Sequence, residues 1–272
     1  MLAGLRVFKM NLQGIFLPVS VPFDHTGEIY AVKVQHNVEK WNRTAVSGYV
    51  VCGREGVYLN AEEKIRMWEW VAEYSAPEKL LIASVGVPSV RETVTLANHA
   101  ESLGYKAALV SAPNESAETR LLYFRTVADR SKIPLIIAGQ DQIPEHPNIA
   151  AVLTNQAAVA PRVPVLAVSG ATLARSFASG AAGAVLEIAN AIPYAAISVW
   201  EAHRARDTEA AFDWQTRIAA ADELIRTKYG IAGVKTAMDL NGYYGGPPRL
   251  PLTVLTPDQR REIEQAFDGI KG

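Results

Sequence analysis

Two charged residues stand where a short apolar run ends: Arg54 and Glu55 follow Gly48-Tyr49-Val50-Val51-Cys52. At such an exit they offer a grip for an anion or a polar substrate, whereas on an open surface the same residues would form ion pairs contributing little. Glu187, in Val185-Leu186-Glu187-Ile188, is a carboxylate within an apolar run, and burying it is costly unless it is paired. It is either a general base of raised pKa or a structural partner of Arg54 or another cation. Cys52 is the only cysteine, so an internal disulfide and a cysteine-rich metal site are excluded. The nearby Arg54 favours a thiolate, but a lone cysteine is more commonly a small buried residue. His25, His36, His99, His146 and His203 show no metal-ligand spacing and read as structural or surface groups. Neither metal nor cofactor is expected. Gly53 to Gly56 lacks both the Gly-x-Gly-x-x-Gly pattern and a Gly-Lys-Ser/Thr ending, so it is a weak phosphate loop.

These groups have to be positioned by regular elements. Apolar, β-branched runs recur at Ile15 to Val21, Gly48 to Cys52, Leu80 to Val85, Ala107 to Ser111, Ile133 to Ala138, Ile149 to Leu153, Pro164 to Val168 and Ala184 to Ala189. Helical spacing fills several of the gaps: Ile65, Trp68, Val71 and Tyr74 share one face of Ala61 to Tyr74, and Ser89 to Leu103 and Ala117 to Arg130 read alike. Eight strands alternating with helices over 272 residues predict an α/β fold, the (β/α)8 TIM barrel. From residue 194 on no strand pattern recurs, which divides the chain into a barrel over 1–193 and a helical segment packed on it over 194–272. The fifth-to-sixth and sixth-to-seventh connections are only about ten residues long and carry Pro144, Pro147 and Pro161, so the barrel should be irregular around strands five to seven.

Lys+Arg 27 against Asp+Glu 28 gives a formal net charge of -1 with no basic cluster, which argues against nucleic acid and anionic membrane as partners. Arg6 and Lys9 interrupt the first apolar residues before a signal peptide or membrane span can form, and a cytoplasmic location is expected.

The chain resembles the pyruvate-dependent class I aldolases and synthases that include dihydrodipicolinate synthase, N-acetylneuraminate lyase and 4-hydroxy-2-oxoglutarate aldolase. The resemblance spans nearly the whole chain. It rests on Gly14-Ile15 with Pro18-Val19-Ser20-Val21-Pro22-Phe23, Thr26-Gly27-Glu28-Ile29, Gly48-Tyr49-Val50-Val51, Leu59 with Glu62-Glu63-Lys64, Glu145-His146-Pro147-Asn148-Ile149, Gly180-Ala181-Ala182-Gly183 and Ala189-Asn190. Gly230-Ile231-Ala232-Gly233-Val234-Lys235, with Gly242 to Pro247 and Arg249-Leu250-Pro251-Leu252, is similar to the 4-hydroxy-2-oxoglutarate aldolase branch in particular. The resemblance implies a (β/α)8 barrel, a homo-oligomer (dimer or tetramer), and a Schiff base between a strand-six lysine and a 2-oxo acid carbonyl, whose iminium withdraws electrons from the adjacent carbon.

Carried over residue by residue, the resemblance finds that chemistry missing. Leu153 stands at the family's lysine position and Ala138 at its proton-relaying tyrosine. Gly53-Arg54-Glu55-Gly56-Val57 replaces, about two residues short, the Gly-x-x-Gly-Glu loop that holds the 2-oxo acid carboxylate. Asn114 and Glu115 follow Pro113 where relatives carry tyrosines, and Val168 stands in place of a glycine. After residue 140 the only lysines are Lys228, Lys235 and Lys271, Lys235 matching a non-catalytic family lysine, and Lys106 precedes strand four at the wrong end of the barrel.

Three functions follow as expectations. The first is a divergent enzyme or binder taking a small polar molecule, a 2-oxo acid among the candidates, at a mouth built from Ser20, Arg54, Glu55, Asn114, Gln140, Asn155 and Glu187. The second is a catalytically inactive homologue acting through assembly with a partner. The third is a true 2-oxo acid lyase with an unrecognised lysine.

Overall fold

The computed structural model describes residues 10–139, 143–154 and 163–270. Eight parallel strands close into a barrel in sequence order: β1 (Gly14–Val19), β2 (Gly48–Val51), β3 (Leu80–Ser84), β4 (Ala107–Ser111), β5 (Leu135–Ala138), β6 (Ile149–Leu153), β7 (Val165–Ala167) and β8 (Gly183–Val185). Side chains alternate across each strand with period two. Phe16, Val50, Ile82, Leu109, Ile136 and Leu166 pack together inside the barrel. Their neighbours Leu17, Val51, Ala83, Val110, Ile137 and Ala167 join the larger core beneath the helices. At the base the strands approach too closely for a side chain: a Cβ on Gly183 would lie 2.2 Å from the Leu12 carbonyl oxygen.

The outer layer comprises α1 (Ala31–Asn42), α2 (Ala61–Tyr74), α3 (Val90–Ser102), α4 (Ala117–Arg130), α5 (Leu173–Ala178) and α6 (Pro193–Arg204). The N-terminus of α2 is fixed by a capping box between Asn60 and Glu63, which fits the helix expected from its apolar spacing. Helix α6 packs on β1 and α5, the place of the eighth helix of a barrel's outer ring. Beyond it come α7 (Thr208–Glu223), a π-helical turn over Leu224–Lys228, α8 (Gly230–Leu240) and α9 (Pro257–Ala266). The segment beyond residue 194 is thus divided, with Arg206 in the left-handed region at φ 60 and Asp207 capping α7.

The expected irregularity is present between β5 and β6. Their register shifts between Leu135 and Ile136, and the described part of the connection contains no helix. Asn148 takes over the helix's role as a brace, its side-chain amide donating to the carbonyls of Ala128, Ser131 and Ile133 at 3.0–3.1 Å. His146 lies 3.0 Å from Asp129, a structural contact. Most of the β6–β7 connection lies outside the described residues. No helix among the described residues is long and apolar enough to cross a membrane.

Candidate functional site

In TIM barrels the chemistry is built at the C-terminal ends of the strands. Ala138 ends β5, Leu153 ends β6, and the two are register partners. Both pack against the interior cluster, so these two side chains are neighbours facing the barrel axis. A leucine and an alanine there present only hydrocarbon. The described lysines lie elsewhere: Lys33 and Lys40 on α1, Lys64 on α2, Lys79, Lys106 and Lys132 before β3, β4 and β5, and Lys228 and Lys235 in the C-terminal helices.

Polar groups gather at the mouth between β8, β1 and β2. The chain leaving β2 winds into a 3₁₀ turn, Arg54–Tyr58, which turns Glu55 inward and leaves Arg54 half exposed. One Glu55 oxygen accepts from the Ser20 hydroxyl at 2.8 Å and the Val21 amide at 2.7 Å. The other lies 3.1 Å from the buried Lys235 ammonium, which also donates to the carbonyls of Val21 and Gly245. Ser20, Glu55 and Lys235 therefore form a satisfied internal network rather than a substrate grip. Lys235 donates to two backbone carbonyls and faces the Glu55 carboxylate, so its ammonium is held inside the protein and turned away from the barrel axis where a substrate carbonyl would lie. Asn190 closes the barrel at the same end: its side chain accepts from the Ser20 amide and donates to the carbonyls of Pro18 and Glu187.

Glu187 is not within a strand, as its apolar surroundings suggest. β8 ends at Val185, and Glu187 opens a 3₁₀ turn, Glu187–Asn190, that carries its side chain over the mouth. There it accepts from Arg54 Nη1 at 3.1 Å and 3.4 Å, and the same nitrogen donates to the Arg226 carbonyl at 3.0 Å. Burial raises the Glu187 carboxyl above its ordinary value, opposed by Arg54 and reinforced by Asp222. Asp222, fully buried on α7, accepts through one oxygen from the Ala171 amide, the Ser169 hydroxyl and Arg226 Nε. Its other oxygen, Oδ1, has no hydrogen-bond partner among the described residues, and burial raises this carboxyl too. The loops after β2, β7 and β8 are thus joined to the π-helical turn through two arginines and two carboxylates.

The remaining expected site residues divide. Asn114 is exposed on the loop after β4 and is not among the residues lining the cleft beside Arg54 and Glu187. Gln140 and Asn155 lie outside the described residues. Cys52 is buried, and burial pushes its thiol upward, away from the reactive thiolate. Val168 is half-buried just past β7. No group of three or more His, Cys, Asp or Glu among the described residues could hold a metal ion. The cleft beside Arg54 and Glu187 is walled by Pro18, Val19, Ile231 and Val234, and its free space is about 20 Å³, room for about one water. Sequence reasoning missed Asn190, Asp222 and Arg226. Asp222 had a signal, being a carboxylate on the apolar face of Ile218, Ala221 and Ile225.

The family model of the dihydrodipicolinate synthetase family matches this chain over residues 11–148 and 144–269. A probable mitochondrial 4-hydroxy-2-oxoglutarate aldolase of Emericella nidulans is 27% identical over 289 residues, covering 93% of each chain. Among solved structures, a dihydrodipicolinate synthase from Bacillus anthracis superposes with a TM-score of 0.87 at 20% identity, over 96% of this chain and 99% of that one. The N-acetylneuraminate lyase of Aliivibrio salmonicida does so with a TM-score of 0.81 at 22% identity, over 95% and 96%. The family match spans the barrel and the C-terminal helices alike, and the chain belongs to the dihydrodipicolinate synthetase family.

Proposed function

We propose that this protein is a divergent member of its aldolase and lyase family that binds or converts a small polar molecule at the barrel mouth without Schiff-base chemistry. The observation that carries the reading is the pairing of Leu153 with Ala138, two hydrocarbon side chains facing the axis where the family chemistry needs an amine beside a phenol. Arg54 and Glu187 supply the polar contacts, Arg54 as the half-exposed cation of the mouth and Glu187 as a carboxylate held partly away from water. A 2-oxo acid remains a fitting ligand, since Arg54 complements its carboxylate. The test is incubation with pyruvate and borohydride followed by intact mass. An unchanged mass supports the reading, and a stoichiometric reduced adduct on any lysine refutes it.

A second reading is favoured by the small free space beside Glu187: a catalytically inactive subunit acting through assembly, with a closed homo-oligomer as the default for such chains. Light scattering and co-purification with an active relative test it. A monomer of 29.5 kDa at micromolar concentration that captures no relative counts against it.

A further inference from the structure

Arg54 is held in an unusual way. A guanidinium carries five N–H donors in a planar fork suited to two parallel bonds with one carboxylate. Here both Glu187 oxygens and the Arg226 carbonyl are served by Nη1 alone. Among the described residues, Nε and Nη2 make no hydrogen bond, and about half of the side chain is exposed. Nη2 lies against Gly230, which sits at φ +57 where the π-helical turn gives way to α8, and a Cβ at that glycine would come within 3.3 Å of it. Glycine there spares Nη2 the crowding that a side chain would bring. The adjoining walls, Pro18, Val19, Ile231 and Val234, are hydrocarbon.

We propose that Arg54 is an exchangeable carboxylate anchor, occupied in the resting protein by Glu187 as an internal stand-in and taken over by a short-chain monocarboxylate whose alkyl end lies on those apolar walls. This rests on the preceding reading that a small polar molecule binds at the mouth. Glu187 holds Arg54 through one nitrogen, whereas an incoming carboxylate can use two. The Arg226 carbonyl keeps the guanidinium in place during the exchange.

Release from Arg54 leaves Glu187 largely buried without its cation, and such a carboxylate takes a proton from solvent. The groups facing Glu187 set the direction of this linkage. Arg54 in the turn after β2 lowers its pKa, Asp222 on α7 raises it, and Arg226 in the π-helical turn lowers it weakly. Glu55 and Lys235 neutralise one another nearby, and Arg226 is itself engaged by Asp222 and Glu223. Losing Arg54 removes the largest lowering influence, so each carboxylate bound brings up to one proton with it. Binding tightens as pH falls.

The probe is propionate, which has no carbonyl and cannot form an imine, so the outcome is independent of whether any lysine is reactive; borohydride trapping with pyruvate reads the underlying reading separately. Affinity is measured by ligand-observed NMR on the full chain, with propionamide as the uncharged control. Saturable propionate binding should tighten about fivefold or more between about pH 8 and pH 6, and propionamide should not bind. Glu187→Gln, which removes the competing charge, should tighten propionate binding about fivefold at about pH 8 and flatten its pH dependence. Arg54→Ala should abolish binding while the circular dichroism spectrum stays that of the native protein. If Arg54→Ala disturbs folding, Arg54→Lys replaces it and should weaken binding by loss of the fork. The proposal is overturned by absence of saturable binding, by propionate binding that survives loss of Arg54, or by a Glu187→Gln protein with unaltered affinity and pH dependence.

Discussion

Replacing Lys235 by Met removes one half of a buried ion pair and leaves the other in place. Glu55 keeps its bonds from the Ser20 hydroxyl and the Val21 amide but loses the ammonium 3.1 Å away, and the carbonyls of Val21 and Gly245 lose a donor. Both side chains are almost fully buried, so water cannot readily replace the missing partner. Breaking a buried pair from one side costs about 3–5 kcal/mol, because the surviving charge is stranded. For a chain of 272 residues that corresponds to a fall in the thermal midpoint of about 5–9 °C. Removing the stranded charge as well, in Lys235→Met with Glu55→Gln, should recover a good part of the loss, since Gln still accepts from Ser20 and Val21. Urea unfolding followed by tryptophan fluorescence measures all four proteins. A Lys235→Met protein within about 1 kcal/mol of the parent, or a double variant no more stable than the sum of its singles, would refute the network as drawn.

Leu153→Lys should at most trap pyruvate stoichiometrically, because Ala138 supplies no phenol and general acid–base assistance is worth about 10²- to 10⁴-fold; turnover of 4-hydroxy-2-oxoglutarate at an ordinary aldolase rate would show the alignment to be wrong. Asn190→Ala should destabilise the protein by about 2–4 kcal/mol in urea titrations, since it orphans the Ser20 amide and the Pro18 and Glu187 carbonyls at the closure of the barrel. An effect near zero would mean that water replaces the side chain. The Asp222 carboxyl is raised in the folded protein, so stability tied to it is full below the ordinary aspartate value of 3.8 and is lost as pH rises through the folded value. The stability difference between parent and Asp222→Asn should therefore move against the parent as pH rises through that window, and a flat difference would contradict the burial of an ionising Asp222.

Much of the barrel is legible in the chain because its strands are apolar on both faces and bounded by turn residues. β4 and β6 coincide with the apolar runs Ala107 to Ser111 and Ile149 to Leu153, and α2 and α4 with Ala61 to Tyr74 and Ala117 to Arg130. The absence of a helix among the described residues between β5 and β6 follows from the short spacing and from Pro144 and Pro147. Glu187 was misplaced because Val185 to Ala189 is apolar apart from it, and periodicity cannot tell a buried strand from a strand ending in a 3₁₀ turn. The break before α7 has no glycine or proline to mark it; Arg206 adopts the left-handed conformation instead. Ser20 and Glu55 lie where β1 and β2 end, but their mutual bond spans 35 residues and the ion pair joins Glu55 to Lys235 in the C-terminal helices, and no local pattern encodes such contacts. Asn114 has only its position after a strand to mark it in the sequence, and such a position does not determine the path of the loop.

Reductive trapping with pyruvate reads directly whether imine chemistry occurs at the barrel axis. Pyruvate and borohydride are added to the full chain, excess reagent is removed, and the intact mass is read beside a control lacking pyruvate. A mass identical to the control is the predicted result, since Leu153 has no amine and Lys235 is bound by Glu55 and two carbonyls. A stoichiometric increase by one reduced pyruvyl group, mapped to a single lysine, would contradict the central claim.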